Sequence, residues 1–236
     1  MIWYAGKCSE DVSVRVEYYP GRTWPAKKQD NSDVPGRNGA LLDVQGNFFS
    51  NYTQSYDIYI SAEAPGLGQV LPKVTDWLLG PVGYQRLEDD YFPAIYRLAA
   101  FEGPIDIANT LGHFGRASIK FNCQPQSWLK TGENPITLTE PGSLANPTAF
   151  TALPLITVTG TGAGVLTVGS IAVEINSNPG QIILDSSLMD ATDPQGDNLN
   201  AVINAPVFPQ LEAGLTPVSF SGAISSVQII PRWWTV

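Results

Sequence analysis

Apolar and polar residues alternate along much of this chain, in short runs punctuated by Gly, Pro, Asn and Asp. Val12, Val14 and Val16 share one face of an extended segment, with Ser13, Arg15 and Glu17 on the other. Tyr18, Tyr19, Pro20 and Gly21 then turn the chain, and a polar stretch with Pro25, Lys27 and Lys28 follows. Asn38 and Gly39 both tolerate positive φ, so this pair is the strongest hairpin signal and predicts a two-residue turn. Segment 48–60 is rich in aromatics, and Tyr56, Ile58 and Ile60 fall on one side of it. Residues 117–123 alternate cleanly, with Ile119, Phe121 and Cys123 opposite Ser118, Lys120 and Asn122, which predicts a core strand.

One segment has helical spacing. Val74, Trp77 and Leu78 stand at i, i+3 and i+4, Pro72 lies near the start, and Gly80 with Pro81 supplies a stop. The pattern predicts a helix of about three turns at most, its apolar stripe docked on a sheet. Residues 84–87 and 94–101 read as strands around an acidic turn, Glu88, Asp89 and Asp90.

Beyond residue 133 the chain changes character. Thr, Ser, Gly, Pro, Asn, Val and Ile dominate, and strands are expected at 135–139, 155–159, 165–168, 171–175, 181–185, 218–220 and 227–231. Short strands at this spacing, with turn signals between them, predict a β-sandwich. The chain is therefore expected to be mainly β, with a domain at 1–133 holding the helix and hairpin and a sandwich at 134–236.

Charge sharpens that boundary. From Thr131 onward there are eight acids against Arg232 alone, or −7 of the net −9. No basic stripe is present to neutralise phosphates, which argues against nucleic-acid binding, and an anionic membrane surface is disfavoured for the same reason. No run approaches the roughly 20 apolar residues of a membrane span. The start has no basic segment followed by an apolar one, and two cysteines do not make a disulfide framework, so synthesis and folding in a reducing cytoplasm are expected. Charged residues make up only 15% of the chain, below the usual share of about 25%, a trait of surfaces that other subunits cover and also of secreted β-proteins.

Few residues offer chemistry. His113 is the only histidine and no Gly-x-Ser-x-Gly elbow accompanies it, so a loop role is preferred to a catalytic one. Cys8, Cys123 and His113 lack any zinc-ligand spacing, and Cys123, on an apolar strand face, reads as a buried thiol. The two cysteines could be neighbours across the first and last strands of the front domain, without a bond being predicted. Asp190, Asp193 and Asp197 could hold Ca²⁺, but a solvated loop with Asx turns fits their spacing better. Glu88, Asp89 and Asp90 suit an acid/base pair less well than a solvated hairpin tip. The glycines at 160, 162 and 164 open no helix and precede no Lys, so they read as a flexible loop and not a phosphate cradle.

The aromatic load of the front domain points to assembly. Trp3, Tyr4, Tyr18, Tyr19, Trp24, Phe48, Phe49, Tyr52, Tyr56, Tyr59, Trp77, Tyr84, Tyr91, Phe92, Tyr96 and Trp128 exceed what one small core absorbs, and Tyr and Trp favour interfaces. Segments 71–101 and 52–60 are the expected contact regions. Tyr52, Tyr56, Trp77, Leu78, Tyr84, Tyr91 and Phe92 are the candidate self-association residues.

A family resemblance runs the length of the chain. Its pieces are Tyr4 to Asp11, Glu17-Tyr18-Tyr19-Pro20, Val34-Pro35-Gly36-Arg37-Asn38-Gly39, Asn51-Tyr52, the helix ending at Trp77-Leu78-Leu79, and Tyr84-Gln85-Arg86-Leu87. Phe121-Asn122-Cys123-Gln124-Pro125 closes the first part. Gly180-Gln181-Ile182-Ile183-Leu184-Asp185 and Val227-Gln228-Ile229-Ile230-Pro231 to Trp234 belong to the second. In this order they resemble the distal tail proteins of long-tailed bacterial viruses. The resemblance implies a front β-domain, sandwich- or barrel-like, that forms a six-fold ring at the virion tail tip, with a galectin-like β-sandwich hanging from it. It implies the tail-tube protein and the tail-tip hub or tail-associated protein as partners, together with receptor-binding or baseplate proteins. It implies no catalytic residue, cofactor or metal. The chain is too short for the inserted sugar-binding module some members carry.

Two rival readings follow from the residues. A carbohydrate-binding receptor module would need open aromatic faces, and the second domain offers only Trp233 and Trp234, which read as a closing strand. A glycoside hydrolase would need two carboxylates about 5–9 Å apart across a cleft, and no Glu sits in a suggestive motif.

Overall fold

The computed structural model describes residues 1–61, 66–110 and 113–236. It separates into two units, Met1–Ser127 with Val236, and Trp128–Thr235. Both are built almost wholly of strands, and the one α-helix among the described residues belongs to the first.

The first unit contains β1 (Ile2–Tyr4), β2 (Lys7–Cys8), β3 (Val14–Val16), β4 (Lys27–Ser32), β5 (Leu41–Phe49), β6 (Tyr52–Ser61), α1 (Leu67–Leu79), β7 (Gln85–Asp89), β8 (Ile95–Phe101), β9 (Ala108–Thr110) and β10 (Phe114–Leu129). Its main sheet runs in the order β2-β1-β7-β8-β10-β6-β3, with β9 also beside β10. Strands β6 and β10 pair antiparallel from Tyr52 opposite Cys123 to Ser61 opposite Phe114. The alternation in the sequence decides which side is buried. Tyr56, Ile58 and Ile60 of β6 and Ile119, Phe121 and Cys123 of β10 enter one core, joined by Ile2, Tyr4, Val14, Leu87 and Ala99.

Helix α1 covers that core with Leu67, Val74, Trp77 and Leu78. Trp77 donates its indole N–H to the Tyr4 carbonyl at 3.2 Å, and the two rings meet edge to face with centroids 6.5 Å apart. Truncating a buried side chain of this size costs about 3–5 kcal/mol. The helix begins earlier than Pro72 suggested. Leu67, seven residues before Val74, extends the apolar stripe back by two turns, so Pro72 lies inside the helix.

Strands β4 and β5 form a two-stranded sheet of their own. The expected hairpin is present, but its connection spans 33–40 and is not the two-residue turn read from Asn38 and Gly39. Gly36 and Gly39 take the positive φ angles, 81° and 80°.

The second unit holds β11 (Ile136–Leu138), β12 (Gly142–Asn146), β13 (Leu155–Val168), β14 (Ile171–Asn178), β15 (Gln181–Asp185), β16 (Asp190–Thr192), β17 (Ile203–Asn204), β18 (Gly214–Ile230) and β19 (Trp234–Thr235). Two long antiparallel strands, β13 and β18, organise it. The front half of β13 pairs with β15 and its back half with β14, while β18 pairs with both β11 and β12. Side chains from both halves, including Ile156, Val158, Leu166, Val168, Val227 and Ile229, fill one core.

The glycines at 160–164 are therefore not a flexible loop. They join the expected strands at 155–159 and 165–168 into one, where β13 crosses β18 with register shifts at Thr159/Gly160 and Gly160/Gly164. A Cβ on Gly164 would lie 2.7 Å from the Ser221 carbonyl, one on Gly222 2.6 Å from that of Ala163, and one on Gly160 would overlap the Ala223 carbonyl. The two backbones approach too closely there for any side chain.

Candidate assembly surface

Most of the hairpin's described side chains are exposed. Every residue of β4 is exposed, and on β5 Leu42 is 51% and Phe48 67% exposed. Its base is tied by the Ser50 N–H donating to the Ala26 carbonyl at 2.9 Å. A lone two-stranded hairpin is marginal in water, and one that holds Leu41, Leu42 and Phe48 outward presents an apolar arm.

The candidate self-association residues separate by burial. Tyr56, Trp77 and Leu78 are each 1% exposed and Tyr52 is buried beside them, so these four pack inside their own core and cannot reach a neighbouring subunit. Their parity, shared with Ile58, Ile60 and Val74, is what turns them inward. Tyr84 stays exposed and its hydroxyl accepts from Asn51 Nδ2 at 2.6 Å, which also donates to Asn122 Oδ1 at 2.8 Å. Tyr91 and Phe92 are half-buried at the edge of a surface the sequence reading did not assemble. Tyr19, exposed, donates its hydroxyl to the Tyr91 carbonyl and packs edge-on against the Tyr91 ring with centroids 4.7 Å apart. Arg22 lies 5.3 Å from the centre of the Trp24 ring and 5.5 Å from that of Phe92. Tyr, Trp and Arg are the side chains that dominate interface energetics.

Beneath this surface sits a buried ion pair. Asp89, expected in a solvated tip, is folded into the core: its Oδ2 receives Arg97 Nη1 at 2.9 Å and the Tyr56 hydroxyl at 2.8 Å, while Oδ1 receives the Phe92 backbone N–H at 2.7 Å. Glu88 instead pairs with Arg86. Burial opposes the charge of Arg97, but Tyr56, Tyr52 and Asp89 outweigh it and hold the guanidinium above its ordinary pKa. Burial and the neighbouring Asp89 push the Tyr56 phenol well above its usual value, and burial raises the Cys123 thiol to about 11. Cys8 and Cys123 are both free, on strands that β1, β7 and β8 separate in the sheet. His113 is exposed.

In the second unit Asp190 and Asp193 are held by nearby hydrogen-bond donors. Asp193 Oδ1 accepts from the Gln195 and Asp197 backbone N–H groups, and Asp190 Oδ1 from the side-chain amides of Asn198 and Asn200. The Asp193 contact to the Gln195 N–H is an Asx-type turn, and the Asp190 contacts tie its strand to the following loop. Among the described residues no group of three or more His, Cys, Asp or Glu side chains is arranged to hold a metal ion. Asp185 forms a two-pronged bridge with Arg232, at 2.8 and 3.0 Å. Burial works against that carboxylate's charge, yet the Arg232 and Ser187 hydrogen bonds hold its pKa well below the usual range. Trp233 is in the core, while Trp234 stacks on Phe150 with centroids 4.5 Å apart and donates to the Thr151 carbonyl at 2.9 Å. One face of that indole is thus already covered.

Comparison with solved structures finds this architecture in the SPP1 Dit (gp 19.1) protein, described as a paradigm of the hub adsorption apparatus in phages that infect Gram-positive bacteria. The two superpose with a TM-score of 0.78 over 100% of this chain and 98% of that one, at 12% sequence identity. The chain has the Dit fold. Weaker likenesses are to the phage P2 baseplate in its activated conformation, with Ca (TM-score 0.49, 11% identity) and with Sr (0.47, 12% identity), each over 92% of this chain and 90% of the other. The sequence matches no protein-family model and no curated protein. At 12% identity a whole-length superposition rests on backbone path, so what this chain shares with SPP1 Dit is the Dit fold itself.

Sequence reading missed the Asp89–Arg97 pair, although a signal was present. Arg97 has the parity of Ile95 and Ala99 in β8, and Asp89 that of Leu87 in β7. Two opposite charges on the inward faces of adjacent strands foretell a buried pair. The assembly of Tyr19, Arg22 and Trp24 with Tyr91 and Phe92 had no such signal, because it joins irregular segments about 70 residues apart.

Proposed function

We propose that this protein is a structural component of a bacteriophage tail tip: a ring-forming hub subunit that joins the tail tube to the tail-tip or baseplate assembly. The observation that carries this reading is the superposition on SPP1 Dit over the whole of both chains, with neither unit left over. A fold likeness does not by itself transfer a role, so the exposed surfaces supply the physical argument. The β4–β5 hairpin holds Leu41, Leu42 and Phe48 in solvent at one end of the first unit. Seating that arm on the next copy would bury this apolar surface and, with each copy both giving and receiving, make a repeated head-to-tail contact, which forms a ring when the rotation between copies closes.

On this reading the first unit, 1–133 in the sequence division, forms a six-fold ring. The galectin-like second domain, 134–236, carries most of the net negative charge. The role is mechanical and not catalytic. Asp89 and Arg97, both buried, neutralise each other inside the core, where they join β7 to β8. The protein would be made in the bacterial host and act in the virion tail.

Multi-angle light scattering on the purified full chain tests this. A species of six times the 25.4 kDa protomer, lost when Leu42 and Phe48 are both replaced by Asp, is the expected result. A protomer-sized particle at every concentration, alone and with tail-tube protein added, contradicts it.

A further inference from the structure

The second unit carries an exposed, mainly apolar groove of about 260 Å³, lined by Leu153, Met189, Pro206, Val207 and Phe208 together with Ser186, Ser187 and Gln210. Met189 in its lining is 69% exposed, Leu153 and Val207 also stand in solvent, and the adjacent Leu188 is 71% exposed. Large apolar side chains clustered in this way are uncommon on a surface that stays in water.

The turn that displays them is rigidly built. Asp185 Oδ1 accepts from the Ser187 N–H and hydroxyl at 2.9 and 2.6 Å and from the Leu188 N–H at 3.3 Å, and Arg232 clamps both carboxylate oxygens. Met189 is held at φ 54°, in the left-handed region that bulky residues avoid. A network that fixes a strained Met in solvent, when the same turn could be made with Gly or Asn, indicates a surface organised in advance for contact.

Charge narrows the occupant. Residues 128–235 hold eight acids and two bases, and Arg232, one of those bases, is bound to Asp185. Two copies of this unit, each carrying a net charge of −6 over residues 128–235, repel one another on approach, which disfavours self-pairing. We propose that the groove docks a different protein, through a segment that presents an aliphatic or aromatic side chain flanked by Lys or Arg. This site is independent of the ring contact, which uses the first unit.

Panning a phage-displayed random peptide library on the full chain, with counter-selection on Met189→Glu, tests the proposal. Enriched peptides are expected to combine an apolar residue with flanking Lys or Arg, and to bind more weakly as salt rises. Synthetic versions should lose at least ~10-fold in affinity on Met189→Glu and on Val207→Glu, with the circular-dichroism melting curve unchanged. Enrichment of sequences without basic residues, equal binding to both variants, no peptide that distinguishes them, or a self-association abolished by Met189→Glu would each overturn it. A defect in ring formation leaves these readouts unaffected, so the two readings fail separately.

Discussion

Arg97 Nη1 stands 2.9 Å from Asp89 Oδ2, and both side chains are 1% exposed. The pair joins the inward faces of β7 and β8 and, through Tyr56, reaches β6. Removing one partner from such a site leaves an uncompensated buried charge, which costs about 3–5 kcal/mol. Asp89→Ala should therefore lower the unfolding midpoint of the first unit strongly in urea. The double replacement Asp89→Leu with Arg97→Met should recover much of the loss. Equal destabilisation by single and double variants would show that packing, and not charge, holds these strands.

Alkaline stability follows from the same core. The folded-state pKa of Cys123 is raised to about 11 from an ordinary 9, so the unfolded chain gives up its proton first. The stabilisation is complete below pH 9 and is lost as pH rises through 11, amounting to about 2–3 kcal/mol. Tyr56, also raised, adds a further loss above pH 10. Urea titrations from pH 8 to 11 should show falling stability of the first unit, with a shallower fall in Cys123→Ala.

The crossing of β13 and β18 predicts sharp intolerance to added volume. Gly160→Ala puts a methyl group against the Ala223 carbonyl, and the backbone must shift to admit it. A loss of about 1–3 kcal/mol is expected, seen as a lower melting temperature. Gly21→Ala, with open space around its Cβ, should leave the melt unchanged.

These elements also show how far the sequence could be read. Strict alternation made β6 and β10 legible, since period two with one buried face admits a single register of side chains. Helix α1 was legible at Trp77 and Leu78, but its start was obscured by Pro72, which normally marks a first turn. The hairpin was legible from Asn38 and Gly39, and its exposure was not, because nothing local says what a strand packs against. Burial of Tyr56 and Trp77 was hidden by composition: an aromatic excess does not reveal which members line the core and which face outward. The strand crossing at Gly160 was read as a loop for the same reason, the partner backbone lying about 60 residues away at Ala223.

The hairpin should report assembly directly through proteolysis. Lys27, Lys28 and Arg37 lie on or near exposed strands and loop, so trypsin should cut the dissociated protein there first. Assembly should slow that cleavage at least ~10-fold, and Phe48→Asp should restore it. Equal cleavage rates in assembled and dissociated protein would place the arm outside the interface.

Negative-stain electron microscopy of the purified full chain, imaged with and without the Leu42→Asp, Phe48→Asp pair, tests the ring most directly. Class averages of the unmodified protein should show closed six-fold annuli, and those of the paired variant only single particles. Single particles from both, under conditions where the unmodified chain is folded and concentrated, would contradict the account.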